Sequence, residues 1–395
     1  MCAKVNQALP QRVVSVDVYR GFVMFLMLAE VLRLRQVSKA LPESSFWAFL
    51  ADQQSHVPWI GCTLHDLIQP SFSFLVGVAM PFSLLSRKGR GMGAGSLWLH
   101  TLKRALILVL LGIFLRSMHS AQTNFTFEDT LTQIGLGYPF LFALAFVKRP
   151  VQWGAFGAIL IGYWLFFAMY PLPGPGFDWS QTGVTADWEH HLKGFAAHWN
   201  KNTNPAWAFD RWFLNLFPRE KPFLFNSGGY ATLSFIPTLA TMVLGLFAGQ
   251  WLRDRNRELL RKFIVIGVIL LAAGFLLSAL GVNPIVKRIW TPGWVLWSGG
   301  WCFLLLAVFY LLTDVAGIEK PFYFLKVIGA NSIAAYVMAD VLPRFIDDSL
   351  KIHFGAGYAN WFGEPYQVLV AGMLQLLLMW LILRWMYVRK IFIKI

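Results

Sequence analysis

Long apolar stretches alternate with short polar segments along the whole chain. The hydrocarbon core of a bilayer is about 30 Å thick and needs about 20 apolar residues per helix. Ten stretches fit this requirement: 18–36, 64–86, 102–118, 130–147, 151–170, 229–252, 263–281, 293–313, 321–341 and 366–388. We therefore predict an all-α fold, a polytopic membrane bundle of about ten transmembrane helices that forms a single domain over residues 1–395.

Composition supports a membrane environment. Of the 395 residues, 57% are hydrophobic and only 14% are charged, against about 25% charged in soluble domains. The first sixteen residues lack an apolar core and a small-residue cleavage site, so we expect no cleavable signal peptide and a retained first helix. The three cysteines, Cys2, Cys62 and Cys302, predict no disulfide framework.

Basic residues set the predicted orientation. The net charge is +14, and cytoplasmic loops of membrane proteins are enriched in Lys and Arg. With both termini inside, the cytoplasmic segments carry 21 of the 34 Lys and Arg residues, so we predict cytoplasmic N- and C-termini. Nucleic-acid binding needs a concentrated basic face on a soluble module. Because the sequence contains no such module, we predict no nucleic-acid partner.

The longest predicted extracytoplasmic segment is 171–228, within the single domain. It is rich in Pro, Gly, Asn and Trp. Two interpretations remain open: an aromatic belt at the membrane interface, or a lid with aromatic platforms for a sugar-like ligand. His190, His191 and His198 lie in this loop without Cys or carboxylate partners at ligand spacing, so we predict no metal site.

Ionisable residues near or inside a membrane span are functional candidates because burying them there is costly. The densest group is His56 to Pro70, at the start of the second predicted span. A His beside an Asp can accept a proton while the carboxylate orients the ring. The alternative is an interfacial His56 with Asp66 acting only as a helix cap. His65 is adjacent to Asp66, and we expect it to point to a different face.

Further polar residues lie in other predicted spans. Asp17 and Arg20 are spaced as an interfacial ion pair, and Glu30 either lines a cavity or pairs with Arg33. Gln133 and Asn331 are helix-to-helix glue or ligand contacts. Five basic residues around a Gly-rich loop either hold the phosphates of a nucleotide cofactor or reflect positive-inside bias: Arg87, Lys88, Arg90, Lys103 and Arg104.

These motifs resemble the family of heparan-alpha-glucosaminide N-acetyltransferase and its bacterial homologues, over nearly the whole chain. The most specific stretch is HVPWIGCTLHDLIQPSF at 56–72, and SVDVYRG at 15–21 and RKIFIKI at 389–395 are also similar. Two positions depart from the family pattern: Glu30-Val31 stands where an Asn is frequent, and Ile134 stands where an Arg follows the Gln.

The resemblance implies a multi-pass acetyltransferase of the bacterial cytoplasmic membrane. It would pass an acetyl group from cytoplasmic acetyl-CoA to the nitrogen or oxygen of an amino sugar or glycan outside. The catalytic residues would be His56, as general base or acyl carrier, and Asp66. We assign donor binding to Arg104, Gln133, Asn331, Ser332 and Arg20, and acceptor contacts to Trp59 and Glu30.

The sequence is also compatible with other functional classes. A transporter or flippase of a glycan or lipid-linked sugar is the main alternative, although the sequence has no repeated halves of the kind common in transporters. A non-catalytic membrane scaffold is a weaker one. Membrane lipid is an expected partner, and a homodimer is one option for the oligomeric state.

Overall fold

The computed structural model describes residues 13–254 and 258–393, which are largely helical and contain no β-strand. The expectation about a signal peptide falls mostly on residues outside this part. The α-helices are α1 Val14–Leu28, α2 Leu34–Ala40, α3 Ser45–Gln53, α4 Ile68–Gly89, α5 Ala94–Ser117, α6 Thr130–Leu144, α7 Arg149–Ala168, α8 Pro205–Phe213, α9 Phe235–Arg253, α10 Leu259–Ala279, α11 Pro292–Phe309, α12 Tyr323–Ala330, α13 Ser332–Phe354 and α14 Glu364–Val388.

All ten predicted spans coincide with helices, but not all are long and apolar enough to cross a membrane. Among the described residues seven helices meet that test, and an eighth does if the bent pair α12–α13 is one span. The two remaining segments, α1 and α6, have 15 residues each. The structure thus confirms an all-helical bundle of the multi-pass membrane type, with a smaller number of clear spans than the ten expected.

The first predicted span ends early because the backbone breaks after a 3-10 turn at Ala29–Leu32. Arg33 takes a left-handed conformation (φ 49°) and starts α2. Gln54 satisfies the backbone groups freed by the break: its amide nitrogen donates to the Ala29 carbonyl at 2.6 Å, and its carbonyl oxygen accepts from the Leu34 N–H at 3.0 Å. Glu30 therefore lies on a fixed turn and not inside a continuous helix.

The predicted span 321–341 is also broken. Helices α12 and α13 meet at Asn331 with a bend of 75°. The Asn331 side chain accepts from the Ile393 N–H and donates to the Ile391 carbonyl, both in the C-terminal tail. These two hydrogen bonds hold residues 391–393 against the bundle.

Glycines let the central helices approach backbone to backbone. A Cβ added at Gly77 in α4 would overlap the Met242 carbonyl of α9, and one at Gly245 in α9 would overlap the Phe74 carbonyl of α4. Small residues at such crossings are typical of membrane helix pairs, where close packing drives association. Helix α9 is accordingly the most enclosed span, whereas α7, α10 and α14 turn large apolar side chains outward, as lipid-facing helices do.

The 171–228 segment folds as a compact cap at one end of the bundle. It contains α8 and three short 3-10 turns. Trp199 is fully buried against Trp59, Tyr163 and Phe167 in a cluster separate from the main core. Trp199 and Trp207 are packed inside the cap. These two tryptophans therefore have a structural role in addition to the two interpretations given above, an interfacial belt or a ligand platform.

Candidate functional site

His56 lies on a tightly fixed loop between α3 and α4. Gly61, with φ 119°, turns the loop, and its N–H donates to the Ile285 carbonyl at 3.1 Å. Arg288 donates to the carbonyls of Val57 at 3.0 Å and Gly228 at 2.8 Å. The loop before α4 is thus tied both to the cap segment and to the loop before α11, and this holds the His56 backbone in place.

Three side chains meet at this loop: His56, Asp66 and Lys287. The Asp66 Oδ1 atom lies 2.7 Å from His56 Nδ1 and 3.2 Å from Lys287 Nζ. Lys287 Nζ is 3.3 Å from His56 Nδ1. Asp66 and Lys287 have side chains only 1% and 6% exposed, whereas His56 is 36% exposed. The accessible imidazole of His56 is therefore in contact with a buried Asp66–Lys287 ion pair.

The second carboxylate oxygen of Asp66 is also occupied. It accepts from the Thr63 N–H at 3.2 Å and from the Val57 N–H at 3.4 Å, and it lies 3.0 Å from the Thr63 hydroxyl. A carboxylate with this many donors is held in one rotamer and stabilised as the anion. Asp66 is therefore built as a fixed acceptor that orients His56, which is more than a helix cap requires.

The tautomer of His56 follows from these contacts. An Nδ1–H that donates to Asp66 leaves Nε2 as the free nitrogen with its lone pair. Burial lowers the pKa of His56 from its usual 6.5, the Asp66 hydrogen bond raises it, and the Lys287 cation lowers it, with a net decrease. The ring is accordingly neutral at pH 7 and able to accept a proton through Nε2.

Lys287 was not predicted from the sequence. It lies in the short loop between α10 and α11, where a lysine looks like an ordinary loop residue, and it is 221 positions away from Asp66. Burial lowers the pKa of Lys287 and the Asp66 carboxylate raises it. Only the folded chain shows that this lysine is an internal counter-ion.

His65 and Glu30 extend the site. The His65 ring centroid lies 4.6 Å from that of His56, and His65 Nε2 is 3.4 Å from Glu30 Oε1. His65 lies in a 3-10 turn, His65–Leu67, that precedes α4. The expectation that its side chain points to a different face from that of Asp66 stays a prediction, but its ring lies beside the His56 ring. Within the described part of the chain, Glu30 pairs with His65 and makes no ion pair with Arg33.

A second feature is a cavity of about 440 Å³ toward the other end of α4. Its charged lining includes three guanidinium groups, those of Arg20, Arg87 and Arg104, and the Asp17 carboxylate. Its apolar wall reaches Phe72 and Leu131. Phe72 in α4 follows Asp66, in the preceding 3-10 turn, by six residues, which is roughly 9–12 Å along the chain axis.

Arg104 has one guanidinium donor in use and another unused. Its Nη1 donates to the Tyr138 hydroxyl at 2.9 Å, and its Nε is buried without a hydrogen-bond partner among the described residues. Arg20 lies 3.6 Å from Asp17. A cavity lined by several guanidinium groups, one with a donor still unused, matches what a phosphate-bearing ligand requires.

The remaining residues predicted to bind the donor differ in their position relative to the cavity. Ser332 lines the cavity. Asn331 is fully buried, with its amide bonded to the C-terminal tail. Gln133 is also buried and donates to the carbonyls of Phe127 at 2.6 Å and Thr232 at 3.1 Å. Asn331 and Gln133 therefore have packing roles in this structure, and their predicted ligand contacts stay predictions.

Trp59 is likewise internal. Only 1% of it is exposed, and its indole N–H donates to the Trp199 carbonyl at 3.0 Å. It packs beneath the cap segment and so fixes the loop that carries His56. A direct contact of Trp59 with an acceptor remains an untested prediction.

Taken together, the fold and the site describe a multi-pass membrane helix bundle with a His–Asp pair near one end and an arginine-lined cavity toward the other. No protein-family model matches the chain. Heparan-alpha-glucosaminide N-acetyltransferase of Homo sapiens is 24% identical over 432 residues, covering 98% of this chain and 60% of the human protein. The enzyme of the same name from Mus musculus is 24% identical over 387 residues, covering 86% of this chain and 55% of the mouse protein.

These matches establish a distant relationship to that N-acetyltransferase family. The chain spans a little over half the length of the curated relatives it matches. The resemblance predicted from the motifs is thus confirmed.

Proposed function

We propose that the protein is a membrane-embedded acyltransferase that passes an acetyl group from acetyl-CoA to an amino sugar or glycan. The single observation that carries the proposal is the His56–Asp66 pair, in which a buried and fully hydrogen-bonded carboxylate orients an accessible neutral imidazole. That arrangement is the one required of a general base. The distant N-acetyltransferase relatives supply the reaction class.

His56 Nε2 would take the proton of the attacking group. The acceptor nitrogen or oxygen forms a bond to the carbonyl carbon of the thioester while its proton moves to His56 Nε2. The C–S bond then breaks, and the sulfur leaves with the electron pair and takes the proton back from the imidazolium. The products are the acetylated acceptor and free CoA thiol, and His56 returns to its neutral form.

The arginine-lined cavity would bind the donor. CoA carries three phosphate groups, and guanidinium groups bind phosphate oxygens through paired charge-assisted hydrogen bonds. Arg20, Arg87 and Arg104 surround the cavity, and the unused Arg104 Nε can donate to a phosphate. The cavity wall at Phe72 lies roughly 9–12 Å from Asp66 along the chain axis, a gap that the extended pantetheine arm can span.

The proposed topology places the arginine cavity at the cytoplasmic face and His56 at the opposite face. The positive-inside rule supports this orientation, because basic residues concentrate at the ends of α4 and α5 that border the cavity. The protein would then reside in the bacterial cytoplasmic membrane and act on an extracytoplasmic acceptor.

The decisive test is acetyl-CoA consumption by the purified protein with a panel of amino sugars. We expect thiol release that depends on the sugar, and loss of at least about a hundredfold in kcat for His56→Ala. His119→Ala is the matched control, since His119 is an exposed histidine just after α5. Full activity in His56→Ala, or sugar uptake into proteoliposomes without consumption of acetyl-CoA, would refute the proposal.

A further inference from the structure

A second pair of ionisable side chains lies beside the His56–Asp66 pair and has no part in the proton transfer described above. Glu30 Oε1 is 3.4 Å from His65 Nε2, and the rings of His65 and His56 are 4.6 Å apart. The Glu30 side chain is 55% exposed, whereas that of His65 is 11% exposed. The Glu30 end of the pair is therefore exposed to solvent, and the His65 end lies against the catalytic histidine.

Two adjacent glutamines hold this pair together. Gln54, at the end of α3, bonds to the backbone on both sides of the turn that carries Glu30. Gln53 accepts from the Leu64 N–H at 3.1 Å, directly before His65. The end of α3 thus fixes the backbone next to both partners.

The chemistry of an amine acceptor requires a second proton acceptor. An amino sugar is mostly an ammonium ion at neutral pH, because an amine beside electron-withdrawing groups has a pKa of about 8. Two protons must then leave the nitrogen before the amide is complete. His56 accounts for one, which ends on the CoA thiol, and the other must leave before the nitrogen can attack.

We propose that Glu30 and His65 bind the acceptor as its ammonium ion and remove the first proton. This inference rests on the acyltransfer function proposed above. The N–H bond of the ammonium breaks, and the proton passes to the Glu30 carboxylate, which shares it with His65 Nε2. The proton then leaves to water from the exposed carboxylate, and the free amine lies beside the His56 ring.

The charged groups around the pair are of both signs. The charged groups that act on Glu30 are Asp340, Lys287 and Arg116, and those that act on His65 are His56, Lys287 and Asp66. Lys287 is already paired with Asp66 at 3.2 Å. Glu30 is the exposed carboxylate that directly contacts His65, and we place the incoming ammonium ion there.

The test compares how kcat/KM depends on pH in the wild-type protein and in His65→Gln, with acetyl-CoA and glucosamine. Without the pair, only the free amine reacts, so log kcat/KM for total glucosamine rises by one per pH unit below about pH 8. At pH 6.5 we expect a loss of roughly thirtyfold, which is the deficit in free amine, and at pH 9 we expect near-normal activity. Wild-type kcat/KM stays flat across this range.

Glu30→Gln, on a separate element, should reproduce the same slope, which guards against a folding defect in one variant. His119→Gln should keep the wild-type profile. A pH-independent loss in both site variants would overturn the Glu30–His65 inference while leaving the acyltransferase proposal intact. Absence of acetyl transfer by the wild-type protein to any amino sugar would instead overturn the proposed function itself.

Discussion

Replacement of Lys287 by methionine tests the electrostatics of the site. Lys287 Nζ lies 3.3 Å from His56 Nδ1, so its charge opposes formation of the imidazolium. Methionine keeps much of the length and removes the charge. The pKa of His56 should therefore rise, and the acid limb of log kcat/KM, which reports the free enzyme, should move to higher pH.

The size of the shift follows from Coulomb's law. At 3.3 Å two unit charges interact by about 1.3 kcal/mol in a water-like dielectric, and by more in a protein interior. Because His56 is about one third exposed, we take the water value as a lower limit. One pKa unit corresponds to about 1.4 kcal/mol, so we expect the acid limb to move upward by about one pH unit or more.

The wild-type pKa of His56 is below 6.5, so activity falls only when the pH drops through that lower value. In Lys287→Met the fall begins at higher pH, so the variant loses more activity than the wild-type protein on the acid side and least at pH 8.

The assay is acetyl-CoA turnover from pH 5 to pH 9. Lys287→Arg keeps the cation and should keep the wild-type acid limb. Lys193→Met removes an exposed lysine of the cap segment and should change nothing. An acid limb that stays in place, or moves to lower pH, in a folded Lys287→Met protein would show that this lysine does not control the catalytic histidine.

Three further predictions concern the donor cavity and the bundle. Arg104→Gln should raise KM for acetyl-CoA roughly tenfold or more with little change in kcat, because one charge-assisted hydrogen bond contributes about 1.5–3 kcal/mol. Arg261→Gln, at an exposed arginine, is the control. A change in kcat alone would contradict a role of Arg104 in donor binding. Asn331→Leu should free the C-terminal tail, seen as faster proteolysis of that tail and a several-fold higher KM for acetyl-CoA, whereas unchanged proteolysis would count against it. Gly245→Ala should lower stability by about 1–3 kcal/mol through overlap with a facing carbonyl, measured by thermal unfolding in detergent. Gly162→Ala, whose Cβ would meet nothing within 4 Å, should be neutral or stabilising, and equal effects of the two glycine variants would refute the packing argument.

Helix content and the position of most spans were accessible from the sequence, because bilayer thickness fixes the length of an apolar stretch. The two broken segments were not. At Arg33 the chain leaves the helix where Gln54 replaces the lost backbone hydrogen bonds. At Asn331 the replacement partner is the C-terminal tail. Neither break has at its centre a proline or a glycine that would indicate it in the sequence.

The local sequence determined that His56 and Asp66 belong together, because ten residues and one fixed turn separate them. Tertiary structure alone decided their surroundings. Lys287 comes from a loop 221 residues beyond Asp66, and Glu30 reaches His65 only because α1 ends early. Apolar periodicity indicates which residues avoid water. The pairing of charged side chains depends instead on which helix ends lie close together, and only the packed bundle determines that.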